Sequence, residues 1–153
     1  MPSPTDAFLA EMLPRQIAAE RAMHNGDAEP RSATWSHADP VSLYGAWLPI
    51  RTGWADVSAA FKRVAAQFSG SREYRFEVVA AGASGDLAYT IGFEHNTVSV
   101  NGEPTTYTLR ATHVYRREDG EWKIVHRHAD RPPDEPEPEP GKTLTETHSG
   151  YAR

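Results

Sequence analysis

Residues 107–130 read YTLRATHVYRREDGEWKIVHRHAD. Two segments of alternating apolar and polar residues meet at Asp119-Gly120, the signature of a β-hairpin turn. Such a pair can form a two-residue type I′ turn. It can also close a three-residue loop, in which a type I turn is followed by glycine in the left-handed region and a bulge. The two choices differ by one residue in register, and one residue moves every side chain of a strand to the other face of the sheet. The same choice recurs at Asn101-Gly102 in SVNGEP, residues 99–104.

A face that buries polar groups without partners is costly, and on that ground the longer loops are expected. With Val100-Asn101-Gly102 as the first loop, Phe93 opposes Leu109, Ile91 opposes Ala111 and Tyr89 opposes His113. The resulting face is largely apolar. The other face carries Thr90, Glu94, Thr108, Arg110 and Thr112. With Glu118-Asp119-Gly120 as the second loop, His113, Arg127 and Ala129 point inward. Trp122 then joins Arg116, Ile124 joins Val114, His126 joins Thr112 and His128 joins Arg110 on the outer face. An outer face holding a Trp and an Ile suggests a subunit interface.

Period-two alternation extends back to Glu73, through Tyr74, Phe76 and Val78 and then Leu87–Val100. Upstream the period is helical. A first helix is expected over about residues 5–24, capped by Thr5 and Asp6, kinked near Pro14 and ended by Asn25-Gly26. A short second helix covers about 28–36. A third runs from Gly53 to Phe68, with Trp54, Val57, Phe61, Val64 and Phe68 on one face. Residues 39–47, DPVSLYGAW, read as a short strand or extended loop. Three helices followed by an antiparallel sheet make an α+β domain over residues 1–130. The alternating Pro and Glu of residues 131–153 exclude a helix or a ladder, and that segment is expected to be a solvated, disordered tail.

Composition narrows the function. A chain of 153 residues with 39% hydrophobic residues can bury a real core. Its net charge of −5, without a basic run, argues against nucleic acid. It has no apolar stretch long enough to span a membrane and no secretory leader pattern. The absence of cysteine removes disulfides and thiolate chemistry. A cytoplasmic protein is the expectation.

The stretch 107–130, taken with HNGDAEPRSATWSHADPVSLYG (24–45) and GWADVSAAF (53–61), resembles the SnoaL-like branch of the nuclear transport factor 2-like superfamily. The likeness covers about Phe8 to Asp130. It implies a cone-shaped roll: three N-terminal helices packed in the concave face of a strongly curved antiparallel sheet, with a pocket inside. It also implies homodimers through the sheet. Members of that superfamily include isomerases, cyclases, dehydratases, epoxide hydrolases and non-catalytic assembly domains. Aligned on the ketosteroid isomerases, Gly45 stands where their aspartate base would be, and Asp39 matches a more structural position. Residues 114–130 are also similar to the association domain of calcium/calmodulin-dependent kinase. The pocket arginines of that domain fall on Ile91, His113 and Ala129, none of which is arginine.

The candidate site follows. His113 is the inward histidine, suited to give or take a proton near neutrality, and Asp39 is the carboxylate that could orient it. Tyr44, Trp47, Trp54, Tyr89 and Tyr115 would supply aromatic walls, and Arg127 at the mouth could hold an anionic oxygen. His126 and His128, two apart on one strand, have the spacing of two metal ligands. With His113 on the other face the set stays incomplete, so no metal is expected. The pair is read instead, with Arg110, Thr112, Trp122 and Ile124, as part of a homodimer interface. No cofactor is expected. The residues point to binding of a small, partly apolar organic molecule. Proton-transfer chemistry of isomerase, dehydratase or cyclase type is one outcome, and non-catalytic ligand binding or assembly is the other.

Overall fold

The computed structural model describes residues 1–133, so the expected tail lies mostly outside the described residues. The chain runs α1 (Pro4–Met23), α2 (Glu29–Thr34), β1 (Ser42–Tyr44), β2 (Arg51–Thr52), α3 (Trp54–Ala65), β3 (Phe68–Ser84), β4 (Leu87–Val100), β5 (Glu103–Glu118) and β6 (Glu121–Asp130). The strands form one six-stranded sheet in the order β2-β1-β6-β5-β4-β3. All neighbours are antiparallel except β1 and β6. The α+β roll expected from the sequence is the fold. No helix among the described residues is long and apolar enough to cross a membrane.

The helix ends differ in detail from expectation. α1 is capped by Ser3, whose Oγ accepts from Asp6 N–H while the Asp6 carboxylate accepts from Ser3 N–H. This reciprocal pair satisfies two otherwise orphaned donors. Thr5 instead accepts from Ala83 N–H on β3. α3 ends at Ala65, and Phe68 already belongs to β3. Its N-cap position is Gly53, which brings no side chain, so Asp39 Oδ1 accepts from Trp54 N–H at 2.9 Å.

Both hairpin loops are the short ones. Asn101-Gly102 and Asp119-Gly120 all have positive φ, as a type I′ turn requires. Val100 pairs with Glu103, and Glu118 with Glu121. The expected register of the first hairpin is thereby overturned: Phe93 opposes Arg110, Ile91 opposes Thr112 and Tyr89 opposes Val114. The concave face of β4 carries Ala88, Thr90, Glu94, Asn96 and Val98, all buried, while Tyr89 and Ile91 stand on the convex face, exposed.

β6 shows a second correction. Next to the turn, Arg117 pairs with Trp122 and Tyr115 with Ile124; beyond a bulge at Val125, Val114 pairs with His126, His113 with Arg127 and Ala111 with Ala129. One surplus residue switches the alternation within the strand. Trp122 and Ile124 therefore point into the core, each at most 2% exposed, and leave the expected interface. Arg127 and Ala129 point inward as expected.

The core joins helices to the concave face. The Phe8 ring meets Tyr115 and Trp122 edge-on at 4.8 and 5.1 Å, and Trp35 meets Phe61 at 5.1 Å. Edge-on contacts of this kind add to the area each ring buries. Curvature comes from β3 and β4. A bulge lies between Val78 and Ala80, beside Gly92. A Cβ on Gly92 would fall 2.1 Å from the Glu77 carbonyl oxygen, so only glycine permits this approach.

Candidate ligand-binding site

The concave face closes over a cavity of about 40 Å³ between α1, α2, α3 and the sheet. That volume admits a few waters. The wall is apolar, with Leu43, Phe61, Val64, Phe68 and Leu109, and the loop residues Trp47 and Leu48 form its roof. The floor is polar: His24, Arg31, Glu94, Asn96, Tyr107 and Arg127. Trp47 is 42% exposed, meets Tyr107 edge-on at 5.4 Å and carries the Arg131 guanidinium 4.5 Å from its ring. It thus separates the cavity from the surface.

Two buried ion pairs hold the floor. Arg31 from α2 grips Glu20 of α1 through both guanidinium ends. Arg127 of β6 grips Glu94 of β4 at 2.6 and 3.1 Å. Tyr74 of β3 adds a hydrogen bond to Glu94 at 2.6 Å. Burial alone would raise the Glu94 carboxyl, but the Arg127 charge and its hydrogen bonds outweigh it and hold Glu94 ionised. For Arg127, burial opposes the charge and Glu94 outweighs it, raising its affinity for the proton.

The histidines divide by position. His24 lines the cavity at the C-terminal end of α1. Its Nδ1 donates to the Glu20 carbonyl at 2.7 Å, so Nε2 accepts from the Tyr107 hydroxyl at 2.8 Å. Burial lowers its pKa, partly opposed by Glu20, and raises that of Tyr107. His113 is 1% exposed and sits behind Arg127, which donates from Nη1 to its Nε2 at 3.0 Å. Burial, then the Arg127 charge, lowers His113 to about 3. It is a neutral acceptor that positions Arg127, and its Nδ1 has no partner.

The other sequence candidates scatter. Trp47 and Arg127 line the cavity as expected. Asp39 caps α3 rather than meeting His113. Trp54 stacks on His37 at 4.0 Å, outside the cavity. Tyr115 is core, bonded to Thr90 at 3.1 Å and to Gln16. Tyr89 lies on the convex face over Gly82, where a Cβ would meet its ring at 2.7 Å. Tyr44 is also convex, its ring 5.1 Å from His126 and 5.3 Å from His128. His126 bonds Ser42 at 2.7 Å, and its neighbour across β5 is Val114 rather than Thr112. Thr112 pairs with His128, and Arg110 forms a bidentate pair with Asp130 at 2.7 and 2.8 Å. Glu94, expected near Arg110, is on the opposite face. The imidazoles of His126 and His128 do not converge with that of His113.

Sequence reasoning missed His24, Arg31, Asn96 and Tyr107 as cavity residues. A usable signal existed. In the two-residue register of the first hairpin Glu94, Asn96, Tyr107 and His113 share one face, and Arg127, already expected inward, brings that face a charge opposite to Glu94.

The family model for the SnoaL-like domain matches residues 18–133. The chain belongs to the SnoaL-like family. Solved structures, several of them of nuclear transport factor 2-like proteins, share its fold. One, from Thiobacillus denitrificans, is provisionally described as a calcium/calmodulin-dependent protein kinase type II association domain. It is 23% identical to this SnoaL-like chain with a TM-score of 0.68, covering 80% of this chain and 96% of that one. Another, from Streptomyces avermitilis, is provisionally a dehydratase of the same superfamily: 21% identity, TM-score 0.65, coverage 84% and 99%. A third, from Pseudomonas putida, is of unknown function: 25% identity, TM-score 0.62, coverage 82% and 88%. No curated protein matches this SnoaL-like chain.

Proposed function

We propose that this SnoaL-like protein binds a small, partly apolar organic molecule in the cavity beneath Trp47 and Leu48. The supporting observation is a polar floor enclosed by an apolar wall and roof, the arrangement that orients a ligand by one end and desolvates the other. The cavity is smaller than such a molecule, so binding displaces the Trp47 loop.

The reaction this floor suits is proton transfer, of isomerase, dehydratase or cyclase type, and the pair His24–Tyr107 suits it better than His113. His24 is neutral and lines the cavity, whereas His113 is covered by Arg127. A ligand proton taken by the Tyr107 oxygen would move the tyrosine's own proton to His24 Nε2, so the pair gains one proton in total. A second reading, binding without turnover, is favoured by the carboxylates: Glu20 and Glu94 are both committed to arginines. The test is a screen of small cyclic alcohols, ketones and enols by thermal shift, followed by NMR of any binder for turnover. Loss of turnover with retained binding in His24→Gln and Tyr107→Phe supports the enzyme. Binding without turnover in the unaltered protein supports the second reading.

We further propose a homodimer through the convex face, centred on Tyr89 and Ile91 with Tyr44, Arg110, Thr112, His126 and His128 around them. Val79, Leu87, Tyr89 and Ile91 are each more than 40% exposed there, an apolar surface poorly suited to water.

A further inference from the structure

We infer that the cavity selects an uncharged ligand whose polar end is a hydroxyl, held by Asn96. The inference rests on the ligand-binding reading above and specifies the chemistry of the same site. Asn96 is 2% exposed, lines the cavity, and its Oδ1 has no hydrogen-bond partner. Buried polar atoms are seldom left unpaired, and an orphan of this kind asks for an explanation.

The neighbours of Asn96 explain why it is orphaned. Its register partners are Tyr107 on β5 and Tyr74 on β3, so all three side chains share the concave face. Each tyrosine offers a single hydroxyl hydrogen. The Tyr107 hydrogen is committed to His24 Nε2, because His24 Nδ1 donates to the Glu20 carbonyl. The Tyr74 hydrogen is committed to Glu94. Oδ1 therefore requires a donor from outside the protein. If the amide is turned over, its N–H groups take that place and require an acceptor. A hydroxyl serves both orientations, since it donates and accepts.

Charge selects against the alternatives. Each cationic group on the floor is matched by a carboxylate: Arg31 by Glu20, and Arg127 by Glu94. His24 and His113 are neutral acceptors. A ligand carboxylate or ammonium would enter a balanced, water-poor cluster without a counter-charge, and would lose its hydration unrewarded. A hydroxyl loses little and fills the vacancy at Asn96.

The experiment titrates the full chain with matched small probes at pH 7. These are cyclohexanol and benzyl alcohol, cyclohexanecarboxylate and benzoate, cyclohexylamine and benzylamine, and toluene as the bare ring. Binding is read from amide NMR shifts, including the Asn96 side-chain NH₂. The alcohols are expected to shift that NH₂ and to bind about tenfold or more tighter than their acids and amines. In Asn96→Leu the preference for benzyl alcohol over toluene should vanish, while the melting temperature holds or rises because an orphaned group has gone. Asn96→Asp, the same shape with a charge, should shift preference toward the amines. Acids binding as tightly as alcohols would overturn the ligand class and leave the pocket standing. An alcohol preference that survives in both variants would overturn the role of Asn96. If no probe moves any cavity resonance, the pocket reading falls, and this inference with it.

Discussion

Acid should weaken this fold through His113 well before carboxylates titrate. His113 is neutral in the folded protein, with its pKa lowered from 6.5 to about 3 by burial and by the Arg127 charge. In the unfolded chain it returns to about 6.5. A folded pKa below the unfolded one means the unfolded chain takes up the proton first. The stabilising effect is in place above pH 6.5 and is lost progressively as pH falls toward 3. Between pH 7 and pH 5 the linkage amounts to about 2 kcal/mol for this residue. With a urea slope of ~1–3 kcal/mol/M, the midpoint should fall by roughly 1 M. His24, also lowered by burial, adds a loss of the same sign. The assay is urea unfolding at pH 7, 6 and 5 for the natural protein and for His113→Gln, whose amide oxygen can still accept from Arg127. The variant should lose about 2 kcal/mol less over this range. Identical pH slopes in the two proteins would refute the assignment of a neutral, buried His113.

Three further outcomes follow from the geometry. Glu94→Leu should cost about 3–5 kcal/mol in urea unfolding, because it strands the buried Arg127 charge, and adding Arg127→Met should recover part of that loss; a double variant no more stable than Glu94→Leu would count against the pairing. Gly92→Ala should cost about 1–3 kcal/mol or more through the contact with the Glu77 carbonyl, and unchanged thermal stability would show that β3 yields there freely. Tyr89→Glu with Ile91→Glu should sediment as a monomer with intact circular dichroism, and a persisting dimer would move the interface off this face.

The helices, the strands and their order were legible because long stretches repeat at 3.6 or 2 residues, a signal each segment carries alone. Facing was not legible from one hairpin. Thr90 and Glu94 made the concave face look too polar to bury. Thr90 meets Tyr115 within the hairpin, but Arg127 and Tyr74, the partners of Glu94, come from β6 and β3, invisible in a reading of β4 against β5 alone. His113 and Arg127 were placed inward correctly. That second assignment stood because two departures cancelled beyond Val125: the shorter turn shifted the register and the bulge shifted it back. Trp122 and Ile124 lie before the bulge, where nothing compensates, and they are the β6 residues whose facing was reversed. His24 was passed over because helical spacing does not reveal which sheet residue its ring will meet.

Val125 gives the middle of β6 an unusual tolerance. Shortening a central strand by one residue ordinarily throws its remainder out of frame, exchanging inside for outside. Here the frame is already spliced: Ile124 faces in, His126 faces out, and Val125 is the residue skipped between them. Excising Val125 would leave Ile124, His126 and Arg127 in uninterrupted alternation, with the cavity and the convex face each keeping their own side chains. The sheet would lose local twist and some apolar contact, not its identity. A deletion at Lys123 would draw on the same spare residue at a cost: Trp122 and Arg127 would keep their faces, but Ile124 would turn outward and Val125 would take its place in the core.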